Sequence, residues 1–181
     1  MLLRFDQVLF VPAAQQPLKR NGHVATPAQR LEMARLACAD NPNFVVSPIE
    51  IERQGPSYTA DTLRALDAAG LGELHFILGA DATAELYRWR AASTIIELAR
   101  IVVVGRPGVT LDHAALDRKL PGLARRLTLL DGPRLEISSS ALRQRIAAGQ
   151  PIRYQTPDIV IAYIAAQGLY RDDHRPPTTD R

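Results

Sequence analysis

The sequence predicts an α/β domain built on a mostly parallel sheet, and three observations carry that reading. Short apolar runs of β type, QVLFV, HFIL and IVVV, recur along the chain, and amphipathic helical segments alternate with them. The segments between them begin and end at capping and turn residues. With 181 residues, 46% of them hydrophobic and 23% charged, the chain is sized for one domain with one core. That composition excludes disordered, collagenous and fibrous classes. Residues 1–170 are expected to form the domain, and the polar stretch RDDHRPPTTDR, residues 171–181, a disordered tail.

The first strand is Gln7–Val11, ended by Pro12, and it delivers the chain to the loop AAQQPLKRNGHVATP. A loop of that length in a compact domain is more often functional than idle. Thr26 and Pro27 are read as N-cap and first helical position of a helix running to about Ala39, with Leu31, Ala34 and Cys38 on one side. Asn43–Ile51 is expected to be extended, broken by Pro48. GPSYTADTLRALDAAG then passes from loop to helix, with Leu63 and Leu66 as its face, Gly70 as its end and Ser57 or Thr59 as its cap. His75–Leu78 is the next strand, followed by Gly79-Ala80-Asp81 and a helix, a second helix near Ser93–Arg100, and the strand Ile101–Val104. Leu127–Leu130 is a further strand, Ser138–Ala148 a helix, and Pro157–Gln167 a last helix closed by Gly168.

Several function classes are excluded. The single cysteine, Cys38, has no intrachain partner, and four scattered histidines make no local metal-binding pattern, so neither a disulfide framework nor a zinc module is expected. No apolar run approaches the ~20 residues that cross a bilayer, and the start MLLRFDQVLF lacks the features of a signal peptide, which points to a cytoplasmic protein without a membrane partner. The net charge of +3 is divided, with 7 basic and 8 acidic groups in residues 1–78 against 15 and 11 in residues 79–181. Without a basic run or interleaved aromatics, a solvated arginine-rich face explains this better than nucleic acid does. Oligomeric state is left open.

Ligands of open parallel sheets bind beyond the C-terminal ends of strands, so the segments that follow strands are the candidates. In LEISSSALRQR the serines stand where first-turn amides are unpaired, and Arg143 lies one turn on, an arrangement suited to a phosphate; plain capping is the alternative. Gly79 and Asp81 suit close backbone approach and ribose hydroxyls, with N-capping by Asp81 as the competing explanation. Trp89 between Arg88 and Arg90 suits a ring stacked on a flat ligand, or one that is simply half-buried. Tyr58 sits before a helix among hydroxyls, and Lys19 and Arg20 lie in the long loop, from which they could reach a polyphosphate or simply stay in water.

FVPAAQQPLK, GPSYTADTL, GADATAELYRW, VVVGRPG and ISSSALR, in this order and spacing, resemble the bacterial nicotinate-nucleotide adenylyltransferases, over about Phe5–Tyr170. ISSSALR resembles the ISSTxIR signature of the wider nucleotidyltransferase superfamily. The resemblance implies a Rossmann-like, doubly wound, mostly parallel sheet of nucleotidyltransferase type. It also implies an enzyme of NAD biosynthesis that transfers the adenylyl group of ATP, with Mg2+, to nicotinate mononucleotide, giving deamido-NAD and pyrophosphate. By matching positions, it implies Arg143, Ser140 and Lys19 as the catalytic group. Ser138, Ser139, Ser140, Arg143, Gly79, Asp81 and Arg106 would bind ATP, Tyr58, Thr59 and Trp89 the nicotinate nucleotide, and no residue a metal.

The sequence departs from the family's pattern twice. The first loop has Gln16-Pro17-Leu18-Lys19 where the family usually has Pro-Pro-His-Lys, so the lysine is kept while leucine stands in place of the histidine. The family also opens with a strand, a GGTFDPxHxGH-type loop and a helix, and this sequence starts after them, so the domain is expected to be N-terminally incomplete with its first strand missing. Met1 is then expected to be an interior residue of the helix preceding QVLFV, the start having been assigned too late. Arg20-Asn21-Gly22-His23 imitates the end of that motif in the wrong place, so His23 is not a catalytic candidate. Two other functions stay open: a catalytically inactive nucleotide-binding or regulatory remnant, and an adenylyltransferase for another phosphate acceptor such as phosphopantetheine.

Overall fold

The computed structural model describes residues 3–15, 25–105, 111–132 and 137–171. They fall into two compact units, one of Met1–Leu3 and Gly55–Leu135, the other of Arg4–Gln54 and Glu136–Arg181.

The first unit is a three-stranded parallel sheet of β3 (Leu74–Gly79), β4 (Ala99–Gly105) and β5 (Leu127–Asp131), in that spatial order. The ladders set Phe76 against Ile101 and Ile101 against Leu127. Parallel strands need crossover connections, and helices supply them. Between β3 and β4 run α4 (Ala80–Ala84), a 3₁₀ turn (Leu86–Arg88) and α5 (Ala92–Leu98); between β4 and β5 run α6 (His113–Lys119) and α7 (Leu123–Arg126). Ile101, Val102 and Val103 of the central strand are all buried, as consecutive residues are when both faces of a sheet are covered. Leu78, Leu86, Ile95, Ile96, Leu116 and Leu123 complete this core together with Ala60 and Leu63 of α3 (Thr59–Ala68). At the carboxyl ends of β4 and β5 the backbones approach closely. A Cβ on Gly132 would stand 2.7 Å from Val104, and Gly132 donates to the Gly105 carbonyl at 3.0 Å, so glycine is required there.

The second unit pairs β1 (Val8–Phe10) with β2 (Phe44–Val46), also in parallel, with Phe10 and Phe44 edge to face at 5.1 Å. α1 (Pro27–Cys38) packs on β2 and on α9 (Asp158–Ala166), and α8 (Ser139–Ala147) joins them through Leu142 and Ile146. The small core is Ala25, Ile152, Val160, Ile164 and Leu169. The α1 start follows expectation closely: Thr26 accepts from the Gln29 amide, Gln29 returns a bond to the Thr26 amide, and Pro27 takes the first helical position.

The strands are parallel and helices flank them, as the sequence predicts; the described strands form one ladder in each unit. Three expectations are corrected. Residues 49–51 are not extended: Pro48 turns the chain into α2 (Ile49–Arg53), its carbonyl accepting from Ile51 and Glu52 at 2.8 and 2.9 Å. α5 ends at Leu98, so Arg100 belongs to β4. α6 and α7 have no counterpart among the expected elements, although Asp112 caps α6 in the usual way, accepting from the Ala115 amide at 2.8 Å.

Candidate functional site

In the first unit, β3 ends at Gly79, which caps α4 with its backbone. Gly79 has an ordinary φ of −77°, and a Cβ there would meet nothing within 4 Å. The fold itself therefore does not demand glycine at this strand end, and the open space suits a ligand brought close to the backbone. Buried Thr83 donates back to the Gly79 carbonyl at 3.0 Å and holds the turn. Since Gly79 is the N-cap, Asp81 is not: it lies exposed in the first turn of α4, and its carboxylate has no partner among the described residues.

Tyr58, not Ser57 or Thr59, occupies the N-cap position of α3, and no side chain caps that helix. Its half-buried ring lies 4.3 Å beneath the Arg90 guanidinium. Thr59 follows as the first helical residue. Trp89 is half-buried, edge to face with Phe76 of β3 at 6.1 Å, and its amide is fixed to the Leu86 carbonyl at 2.9 Å. Tyr58 and Trp89, far apart in sequence, are thus joined through Arg90.

In the second unit, Ser138 is the N-cap of α8 and accepts from the Ala141 amide at 3.1 Å. Ser139 and Ser140, which the sequence offers as alternative caps, are thereby released into the first turn with their side chains exposed. Arg143 donates to the Ser140 hydroxyl at 3.3 Å, so its guanidinium is held over the same turn. Amides, hydroxyls and a fork of donors converge where the helix dipole is positive, a combination that holds phosphate oxygens. Ser138→Ala should remove the cap and lower thermal stability by about 1 kcal/mol, with the weaker helix start read out by amide exchange at Ala141.

Two residues of this region carry no signal in the sequence. Tyr170 lies near Arg143 and Arg30; burial pushes its hydroxyl above the ordinary tyrosine range while the two guanidinium groups pull the other way. Arg30 of α1 donates to the Ala14 carbonyl at 3.0 Å, and its buried Nε has no partner among the described residues. Burial lowers its affinity for the proton, yet an arginine stays charged, so this is a cation with a spare donor. Nothing in the local spacing of α1 marks Arg30 out, since its surroundings come from Ala14 and Tyr170. Lys19 and Arg106 lie outside the described residues, as does nearly all of the 171–181 tail. No described helix is long and apolar enough to cross a membrane.

The family model of cytidylyltransferase-like proteins matches residues 2–145. The chain is 62% identical, over 169 residues, to a Roseiflexus sp. (strain RS-1) protein named "Probable nicotinate-nucleotide adenylyltransferase", covering 93% of this chain and 85% of the relative. It is 47% identical over 172 residues to a Herpetosiphon aurantiacus protein of the same name, covering 94% and 86%. In fold it is similar to the Plasmodium falciparum nicotinic acid mononucleotide adenylyltransferase complexed with NaAD, with a TM-score of 0.69 over 91% of this chain and 82% of that one, at 17% identity.

Proposed function

The chain belongs to the nicotinate-nucleotide adenylyltransferase family of cytidylyltransferase-like enzymes, and from that premise we propose how its residues serve adenylyl transfer from MgATP to nicotinate mononucleotide. The products are deamido-NAD and pyrophosphate. A phosphate oxygen of the mononucleotide attacks the α-phosphorus of ATP; the new P–O bond forms as the bond to the bridging oxygen breaks, and the electron pair leaves with pyrophosphate. No enzyme nucleophile is needed, so the protein's contribution is positioning and charge neutralisation.

The observation that carries this reading is the α8 start, where Ser138 takes the capping role and leaves Ser139, Ser140 and Arg143 for an anion. In this reading Ser139 and Ser140 hold ATP phosphate oxygens with the first-turn amides, and Arg143 steadies the charge that builds on the leaving pyrophosphate. Lys19 and Arg106 are assigned to the ATP side on sequence alone. Gly79 lets the nucleotide approach the β3 end, and the exposed carboxylate of Asp81 accepts from ribose hydroxyls. Tyr58, Thr59 and Trp89 frame the pyridine ring of the acceptor. Mg2+ is taken to arrive on the ATP phosphates, where it would offset their charge.

The test is incubation of the protein with MgATP and nicotinate mononucleotide, following deamido-NAD by chromatography and pyrophosphate by a coupled assay. Equimolar appearance of both supports the reading. Binding without product would favour a nucleotide-binding remnant, and product only with phosphopantetheine would favour a different acceptor.

A further inference from the structure

Helix α9 is stopped by its own residues. Gly168 takes the left-handed conformation, φ 62°, and the Gly168 and Leu169 amides donate to the Ala165 and Ile164 carbonyls at 3.2 and 3.0 Å, which closes the helix end. Two residues on, Tyr170 is left-handed as well, φ 62°, although the helix stop does not need it. For a bulky side chain that conformation is an outlier, kept only where the surroundings over-determine it. Buried Leu169 anchors the backbone, and the half-buried Tyr170 ring packs on the small core that Met33 of α1 and Leu142 of α8 also cover.

That placement brings the phenol to two guanidinium groups. Arg30 lies one turn before Met33 on α1 and Arg143 directly after Leu142 on α8, and these are the two charged groups that act on the Tyr170 hydroxyl. They are not equally fixed. Arg30 is anchored on the Ala14 carbonyl at 3.0 Å, with its Nε buried. Among the described residues the Arg143 side chain makes one hydrogen bond, to the Ser140 hydroxyl, and at 3.3 Å it is long. Like charges repel, so with Arg30 anchored it is the position of Arg143 that responds to its neighbours. A phosphate-binding arginine left to sweep all its rotamers would have to be ordered by the ligand, which weakens binding by about 10- to 30-fold.

We propose that Tyr170 is a positioning residue for adenylyl transfer, its ring limiting the range of the Arg143 side chain so that the guanidinium stands over the first turn of α8 before ATP arrives. The proposal rests on the reading of that turn as the ATP phosphate site. The strained backbone of Tyr170 is what places the ring there, so the ordering of Arg143 is met on folding and not on binding. Tyr170 touches no substrate in this account and acts through Arg143 alone.

Steady-state kinetics of Tyr170→Gly, Tyr170→Phe, Arg143→Ala and the double variant of Tyr170→Gly with Arg143→Ala test it. Glycine suits the left-handed backbone, so Tyr170→Gly removes the ring without adding strain. It should lower kcat/KM for ATP by about 10- to 30-fold and change KM for nicotinate mononucleotide less than about threefold. Tyr170→Phe keeps the ring and should stay within about threefold of the wild type. With Arg143→Ala already present, Tyr170→Gly should lower ATP use by less than about twofold, because residues that act as one unit do not add. Tyr170→Leu, which retains an apolar contact with the small core, takes the same place in the cycle if Tyr170→Gly does not fold. An equal loss with and without Arg143 would overturn the proposal, as would no loss in either case. Matching KM rises for both ligands would overturn it too, since they mark a general loosening of the fold. If Arg143→Ala itself leaves ATP use unchanged, the reading of the α8 start fails instead, and the proposal with it.

Discussion

Replacing Arg143 with alanine will lower kcat/KM for ATP by about 10²- to 10³-fold, the usual consequence of deleting a preorganised donor for charge that develops in the transition state. Affinity for nicotinate mononucleotide is expected to change less than about threefold. The asymmetry follows from the proposed roles: Arg143 sits over the first turn of α8 against Ser140, on the side of the ATP phosphates, while Tyr58, Thr59 and Trp89 frame the acceptor ring. The protein should still fold, because the substitution removes a single hydrogen bond to a hydroxyl at a partly exposed position. Arg143→Lys separates charge from geometry, since an ammonium keeps the charge and cannot reproduce the planar fork; it should recover part of the loss. Steady-state kinetics varying each substrate in turn decides the matter, and equal losses on both ligands would contradict the assignment.

Trp89→Ala will show the opposite pattern, with acceptor KM raised about 10- to 100-fold and ATP KM little changed. Stacking of a flat heterocycle on an aromatic side chain contributes about 1–3 kcal/mol, which spans that range. Trp89 also packs against Phe76 and the edge of the first unit's core, so alanine will cost some stability as well. Trp89→Phe is the control: it keeps a ring against Phe76 and a stacking face, and should restore most of the acceptor affinity. A rise in ATP KM that matches the rise for the acceptor would mean the substitution disturbs packing and that Trp89 does not frame the ring.

Local signals in the sequence are legible where one residue or its near neighbours decide the outcome. Thr26-Pro27 starts a helix because the cap, its reciprocal glutamine and the proline all lie within four residues. The expected helices Ser138–Ala148 and Pro157–Gln167 agree within a residue or so with α8 and α9 for the same reason. The helix α6 carries a local signal of the same kind, Asp112 with Leu116 and Leu120 behind it, although it has no counterpart among the expected elements. By contrast, α7 follows Gly122, φ 93°, as its N-cap, with Asp117 accepting from the Gly122 and Ala124 amides, both at 3.0 Å. That cap comes from the end of the preceding helix, and no local template describes it.

The site divides along the same line. Which residue types stand where is determined by sequence: three serines at a helix start, a glycine and an aspartate at a strand end, a tyrosine before a helix and a tryptophan between arginines. The alternation of strands and helices follows from periodicity, and the resemblance to the family from motifs in order and spacing, because these are properties of short windows and their succession. Tertiary structure alone decides which serine is spent on the cap, that Gly79 and not Asp81 caps α4, and that Arg90 lies on Tyr58 while Arg64 takes Asp61. Each of these outcomes is a competition between partners for one hydrogen bond, one face or one charge. Its result depends on distances between segments that are remote in the chain, which composition and spacing do not contain.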